Sequence, residues 1–165
     1  MSNFFGSTML PVPLDLAALT TLVREIAADE DFWRPRLRLP MRDSRWWTRL
    51  WADPDVDVWL LSWLPGQTTE LHDHGQSAAA FAVVTGQLIE HRVEARRVAV
   101  LRRQTGTTTW VAPGVVHDVH GAGAGPAVSI HAYSPPLTRM NYYDRTGTRV
   151  LRTEHGSEPE KPMVR

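Results

Sequence analysis

From Val56 onward the chain is a run of short apolar segments parted by glycine and proline. "VDVWLLSWLPG" ends at the Pro65-Gly66 turn signal, and "TELHDH", "AAFAVVTG", "QLIEHRVE", "RRVAVLRR", "TTTWVAPG", "VVHDVHG" and "AVSIHAYS" follow. Regularly spaced strand-sized segments with no helices between them predict an all-β barrel or jelly roll. Upstream, "LDLAALTTLVREIAAD" (14–29) repeats Leu16, Leu19, Val23 and Ile26 at helical spacing, with Asp15 placed to cap it and Pro13 just before. Residues 30–55, rich in Arg, Trp and Pro, hold no sustained period and read as loop and short strand wrapping the core. The polar stretch 152–165, with two prolines, reads as a mobile tail. The expectation is one domain over 1–165: helix 14–29 outside a barrel of about 56–151.

Charge and composition remove several functions. Eighteen Lys and Arg balance eighteen Asp and Glu, so no basic surplus exists to neutralise phosphates, and nucleic acid is not an expected partner. The chain has no cysteine, which excludes disulfides, thiolate zinc sites and a thiol nucleophile. "MSNFFGSTMLPVP" lacks the basic and apolar regions of a signal peptide, and no apolar run approaches the roughly 20 residues of a membrane span. A cytoplasmic chain without a membrane partner is expected.

Two of the seven histidines stand at i and i+2 in "ELHDHGQS". On a strand such positions share a face, so His72 and His74 aim two imidazoles into one space while Asp73 points away. On a helix they would not face each other. Inside a barrel the pair is a metal claw. Further on, "SIHAYSPP" places Ser129, His131 and Tyr133 on one strand face, within hydrogen-bonding reach and alternating with Ile130 and Ala132.

Gly66, five residues, His72-x-His74 and eleven residues to Gly86 resemble the first motif of the cupin superfamily, whose barrel is a jelly-roll-like double-stranded β-helix. "GTTTWVAPGVVHDVHG" resembles the second motif in altered form. The glutamate that usually completes the first motif is replaced by Ala79. The resemblance therefore implies His72, His74 and His117 as ligands, with no carboxylate. His120 competes with His117, but three residues along a strand turn it to the other face. His91 and His155 have no motif around them and read as surface residues. Trp63, Trp110 and Phe81 read as core.

With "WTRL", "VVTGQLIE" and "YYDRTG", these stretches resemble the cysteine dioxygenase family of thiol dioxygenases, from about Trp47 to Thr148. The resemblance implies a non-haem Fe(II) enzyme, one iron per chain, that converts L-cysteine and O2 to cysteine sulfinate. Ser129, His131 and Tyr133 would be the catalytic outer relay, Tyr133 also touching substrate. Arg49 would clamp the substrate carboxylate in a dry pocket with its planar fork. Met140 or Tyr142 would reach substrate, and Ser134-Pro135 would be a cis peptide. In animal members a cysteine cross-linked to the tyrosine stands where Ala79 is, so the cross-link is impossible here and Tyr133 must act as a plain phenol. Three neutral imidazoles leave the ion its full charge, which favours a thiolate. The expected partners are a small thiol and O2, and the expected state is a monomer. A related dioxygenase of 3-mercaptopropionate is the nearest rival, though that branch tends to carry glutamine at the Arg49 position. A non-catalytic metal-binding cupin or ligand sensor is another, but it would have no use for the Ser129-His131-Tyr133 row.

Overall fold

Asp15 caps the first helix, α1 (Leu16–Ala28), by accepting a 2.8 Å hydrogen bond from the Ala18 amide. The apolar stripe of α1 faces inward, with Leu19 and Val23 fully buried and Leu16 and Ile26 packed beside them. The computed structural model describes residues 12–42, 44–95 and 97–156. After α1 come a short turn of helix, α2 (Glu30–Trp33), and eleven strands. These are β1 (Trp46–Ala52), β2 (Asp57–Trp63), β3 (His72–Asp73), β4 (Ala78–Thr85), β5 (Gln87–Glu94) and β6 (Arg97–Gln104). Then follow β7 (Thr108–Val111), β8 (His117–Ala122), β9 (Ala127–Ser134), β10 (Arg139–Tyr143) and β11 (Val150–His155).

The strands form two antiparallel sheets, ordered β1-β2-β9-β4-β7 and β11-β10-β3-β8-β5-β6. The first sheet is covered on both sides, which is why every residue of β2 and β9 is buried. Val58, Leu60, Ala80, Ala82, Ile130 and Ala132 pack toward α1. Trp59, Leu61, Trp63, Phe81 and Tyr133 join the barrel interior with Leu88, Val119, Met140 and Tyr142 of the second sheet. The second sheet is covered on its inner face only, so β8 alternates buried and half-buried residues from His117 to Ala122. Gly86 carries the chain from β4 in one sheet to β5 in the other. Its φ is +77°, and a Cβ there would lie 2.5 Å from the Pro126 carbonyl oxygen, so only glycine fits.

Two boundaries and one burial differ from the sequence expectation. The first sheet begins at Trp46, not at Val56, because β1 pairs with β2, and the register of that pair shifts between Arg49 and Trp51. That bulge breaks the alternation by which a strand is recognised. The segment from Arg152 is no mobile tail up to His155, since β11 pairs with β10. Arg152 lies 3.8 Å above the Tyr142 ring and forms ion pairs with Glu70 and Glu154. The tail positions 157–165 lie outside the described residues. Trp110 is 46% exposed and not core. The Ser134-Pro135 peptide is cis, as the family resemblance implied. No described helix is long and apolar enough to cross a membrane.

Because Leu19 fills the seam between α1 and the first sheet, Leu19→Ala should cost about 2–5 kcal/mol in denaturant unfolding. The inner histidine cluster lies on the other side of that sheet, so metal stoichiometry should not change.

Candidate metal centre

The period-2 argument for His72 and His74 holds in three dimensions: β3 and the residue after it point both rings into the barrel. The ladder pairs His72 with His117, at the start of β8. The three side chains are nearly inaccessible, at 0%, 3% and 3% exposure. Nε2 of His74 lies 3.1 Å from that of His72 and 3.5 Å from that of His117. Nitrogen ligands of one ion, with bonds of about 2.0–2.1 Å, stand roughly 3 Å apart, so the cluster fits a single metal ion. Nδ1 of His72 donates to the Glu70 carbonyl at 2.7 Å, and Nδ1 of His117 donates to a Glu90 carboxylate oxygen at 3.0 Å. In this assignment both Nε2 lone pairs face the centre. Burial, followed by the neighbouring His72, His117 and His131, holds the His74 pKa well below the ordinary histidine value, so this ring is neutral and able to ligate. Among the described residues His74 Nδ1 is buried without a hydrogen-bond partner, and the ring is placed by edge contacts with His72, His117 and Tyr133.

Asp73 points away from the claw, as alternation requires, and anchors it. Its carboxylate accepts from the Gly75 amide at 2.7 Å, Asn141 Nδ2 at 2.9 Å and the Tyr143 hydroxyl at 2.6 Å.

Glu90 is a site residue that the sequence reading does not single out. It lies on β5 with no exposed surface. Besides His117, it accepts from Arg92 Nε at 2.7 Å and from Arg103 at 2.9 and 2.7 Å. Burial opposes its ionisation, but the His117 contact and then Arg92 outweigh this and hold the carboxyl at about 2. Its one sequence signal is an acidic residue at an inward strand position, in register with buried Leu88.

On β9 Ser129, His131 and Tyr133 are all buried at alternate positions, with the His131 and Tyr133 ring centroids 6.5 Å apart. Trp63 Nε1 donates to Ser129 Oγ at 2.9 Å, and Ser129 Oγ lies 2.8 Å from His131 Nε2. His131 is stacked on Phe81, with centroids 4.9 Å apart and planes 10° from parallel. The Tyr133 ring meets the His74 ring edge-on at 5.0 Å. Trp63 and Phe81 are thus core residues that also hold the row in place. Met140 and Tyr142 are buried on the inner face, Tyr142 with its ring 6.2 Å from His72.

The setting of Arg49 departs from expectation. Arg49 is exposed on β1, its guanidinium 4.5 Å above the buried Trp59 ring. It is exposed, not set in a dry pocket. Arg45, four residues earlier, is buried over Trp63 at 4.7 Å, and nothing in its sequence context marks it. Asp57, paired with Tyr133 in the ladder, is also buried, and its Oδ2 accepts from Trp59 Nε1 at 2.9 Å. Burial raises its pKa, while Trp59, backbone amides and Arg49 offset only part of that. His120 faces outward as expected. His91 does too, but it contacts Asp118 and is no isolated surface histidine.

Two outcomes follow. Glu90→Gln leaves Arg92 and Arg103 short of a buried counter-charge, a loss of about 3–5 kcal/mol in chemical unfolding. It should also weaken metal binding roughly 10- to 100-fold, read by competitive chelation. For Asp57, the folded state holds the proton more tightly than the unfolded chain, so stability falls as pH rises from the ordinary aspartate range through the raised value. Asp57→Asn should gain stability relative to wild type across that window and level off above it, in urea titrations from about pH 4 to about pH 8.

Comparisons with known proteins bear on the fold and the family. A double-stranded β-helix protein of Klebsiella pneumoniae aligns with a TM-score of 0.59 at 18% identity, covering 68% of this chain and 94% of its own. The TT1209 protein of Thermus thermophilus aligns with a TM-score of 0.55 at 20% identity, covering 62% and 93%. An oxalate oxidase aligns with a TM-score of 0.52 at 15% identity, covering 62% and 58%. At such identities these structures establish the cupin fold and no more. The model of the family described as cysteine dioxygenase type I matches residues 13–146, most of the chain, and the protein belongs to that family.

Proposed function

We propose that the protein is a thiol dioxygenase that converts L-cysteine and O2 to cysteine sulfinate with one Fe(II) held by His72, His74 and His117. The observation that carries this reading is the edge contact of Tyr133 with His74, at 5.0 Å, which sets the polar row directly against the imidazole claw. A bare metal-binding barrel has no need of that juxtaposition. Both oxygen atoms end on sulfur, so sulfur supplies every electron that O2 takes up and no external reductant is required. The ion, when bound, supplies adjacent open positions for a thiolate and O2.

The chain's own residues do the rest. The three imidazoles are neutral donors, and Glu90 keeps His117 oriented through Nδ1. Trp63 donates to Ser129, so the Ser129 hydrogen can go to His131 Nε2, which leaves the His131 proton on Nδ1. Tyr133, an unmodified phenol, offers one hydroxyl at the claw. Arg49, spread on Trp59, presents its fork where the substrate carboxylate can sit while the thiol points inward. An exposed clamp is weaker than a dry one. A charged hydrogen bond contributes about 1.5–3 kcal/mol, which is roughly ten- to a hundredfold in rate constant.

Oxygen uptake and sulfinate formation by the Fe(II)-loaded protein, with L-cysteine, 3-mercaptopropionate and cysteamine, test the assignment. L-Cysteine should have the highest kcat/KM. Tyr133→Phe should lower it about ten- to a hundredfold with iron content unchanged. Arg49→Gln should lower it about as much for L-cysteine while leaving cysteamine unaffected. Preference for 3-mercaptopropionate would move the protein to the neighbouring activity. Iron binding without oxygen uptake on any thiol would make it a non-catalytic cupin.

A further inference from the structure

We propose that the outer face of the six-stranded sheet carries a second metal site, made of His91, Asp118 and His120, for a divalent transition ion of the zinc class.

The cluster repeats the construction of the inner claw. There, two ligands stand at i and i+2 on one strand, His72 and His74, and the ladder brings His117 opposite the first. Here, Asp118 and His120 stand at i and i+2 on β8, and the ladder brings His91 of β5 opposite Asp118. The arrangement is displaced by one strand and turned to the other face, because β8 alternates. His117 and Val119 point inward, and Asp118 and His120 point outward. The two sites therefore share a strand but no side chain.

The donor atoms already converge. His91 Nδ1 lies 2.9 Å and His120 Nε2 2.7 Å from the same oxygen, Asp118 Oδ1. The ligand atoms of all three residues fall within 4.8 Å of one another. The two imidazoles meet edge to face at 84° with centroids 4.6 Å apart, so they are not stacked. Small side-chain rotations open these separations to the roughly 3 Å that bonds of about 2.0–2.2 Å require. The backbone beneath is a continuous ladder of six β5–β8 pairs, which holds the donors in place. The side chains are 27%, 15% and 32% exposed, enough for an ion to enter and for water to complete its shell. In the ladder His91 pairs with Val100 on its other side and His120 pairs with Ile89, so neither direct partner is a cation. Two imidazoles and a carboxylate, without thiolate, suit zinc, nickel or copper(II) over calcium or magnesium. An ion here would tie β5 to β8 immediately behind Glu90 and His117. The inference is independent of which reaction the inner site performs.

Zinc stoichiometry after equilibrium dialysis of the full chain decides it. Wild type should bind two zinc ions per chain. His91→Gln with His120→Gln should bind one, and His72→Ala with His74→Ala should also bind one. The four changes together should bind none. Asp118→Asn, which keeps the shape of the side chain, should lose the outer ion and keep the inner one. Circular dichroism melts accompany each variant, and zinc should raise the Tm of the His72→Ala, His74→Ala protein. If that variant misfolds, the His91→Gln, His120→Gln count in an otherwise wild-type chain still decides. Equal stoichiometry with and without His91 and His120, or one zinc in wild type, would overturn the proposal.

Discussion

A carboxylate with no exposed surface must be neutralised where it sits, and Glu90 is surrounded accordingly. Arg92 and Arg103 approach its two oxygens, and His117 donates to it from the neighbouring strand. Arg92 also reaches the Trp110 carbonyl, so the same knot joins β5, β6 and β8 of one sheet to β7 of the other. Removing Glu90 leaves both guanidiniums without their buried counter-charge, so the carboxylate restrains the whole knot. Its consequence for the candidate site is directional: the His117 ring is held with Nε2 toward His72 and His74.

The rest of the interior is arranged by packing around polar groups. His131 lies flat on Phe81, and its Nε2 is met by Ser129, which is itself met by Trp63. The large aromatic side chains thus exclude water and position hydrogen-bonding atoms at once. His74 is held by edge contacts with three rings. Its neutrality follows from burial among other imidazoles and leaves it available as a donor. The surroundings of Trp59 are built differently. Trp59 supports both Arg49 above it and Asp57 beside it, so an exposed cation and a buried acid share one aromatic platform.

Much of this architecture is legible in the amino-acid sequence. Period-2 spacing in "HDH" and "SIHAYS" assigns faces directly, because strand alternation is a local property of the backbone. The helix at 14–29 is equally local: its cap and stripe lie within one segment. The elements that do not read locally have identifiable reasons. β1 is hidden by its bulge. β11 is polar and gains order from pairing with β10 and from Arg152 over Tyr142, a contact between residues ten apart in sequence. Glu90, Arg45 and Asp57 are charged residues that composition assigns to the surface, and each is buried by partners elsewhere in the chain.

The sequence by itself determined the class of fold and the shared faces of His72 with His74 and of Ser129, His131 and Tyr133, since these depend on alternation and turn residues within short segments; His117 was named through the family resemblance. Only the tertiary structure decided which strands lie side by side. Register brought His117 opposite His72 and His91 opposite Asp118, enclosed Glu90 between two arginines and left Arg49 exposed. Those outcomes depend on pairings between distant segments, whose energies are settled by burial and charge compensation across the whole barrel.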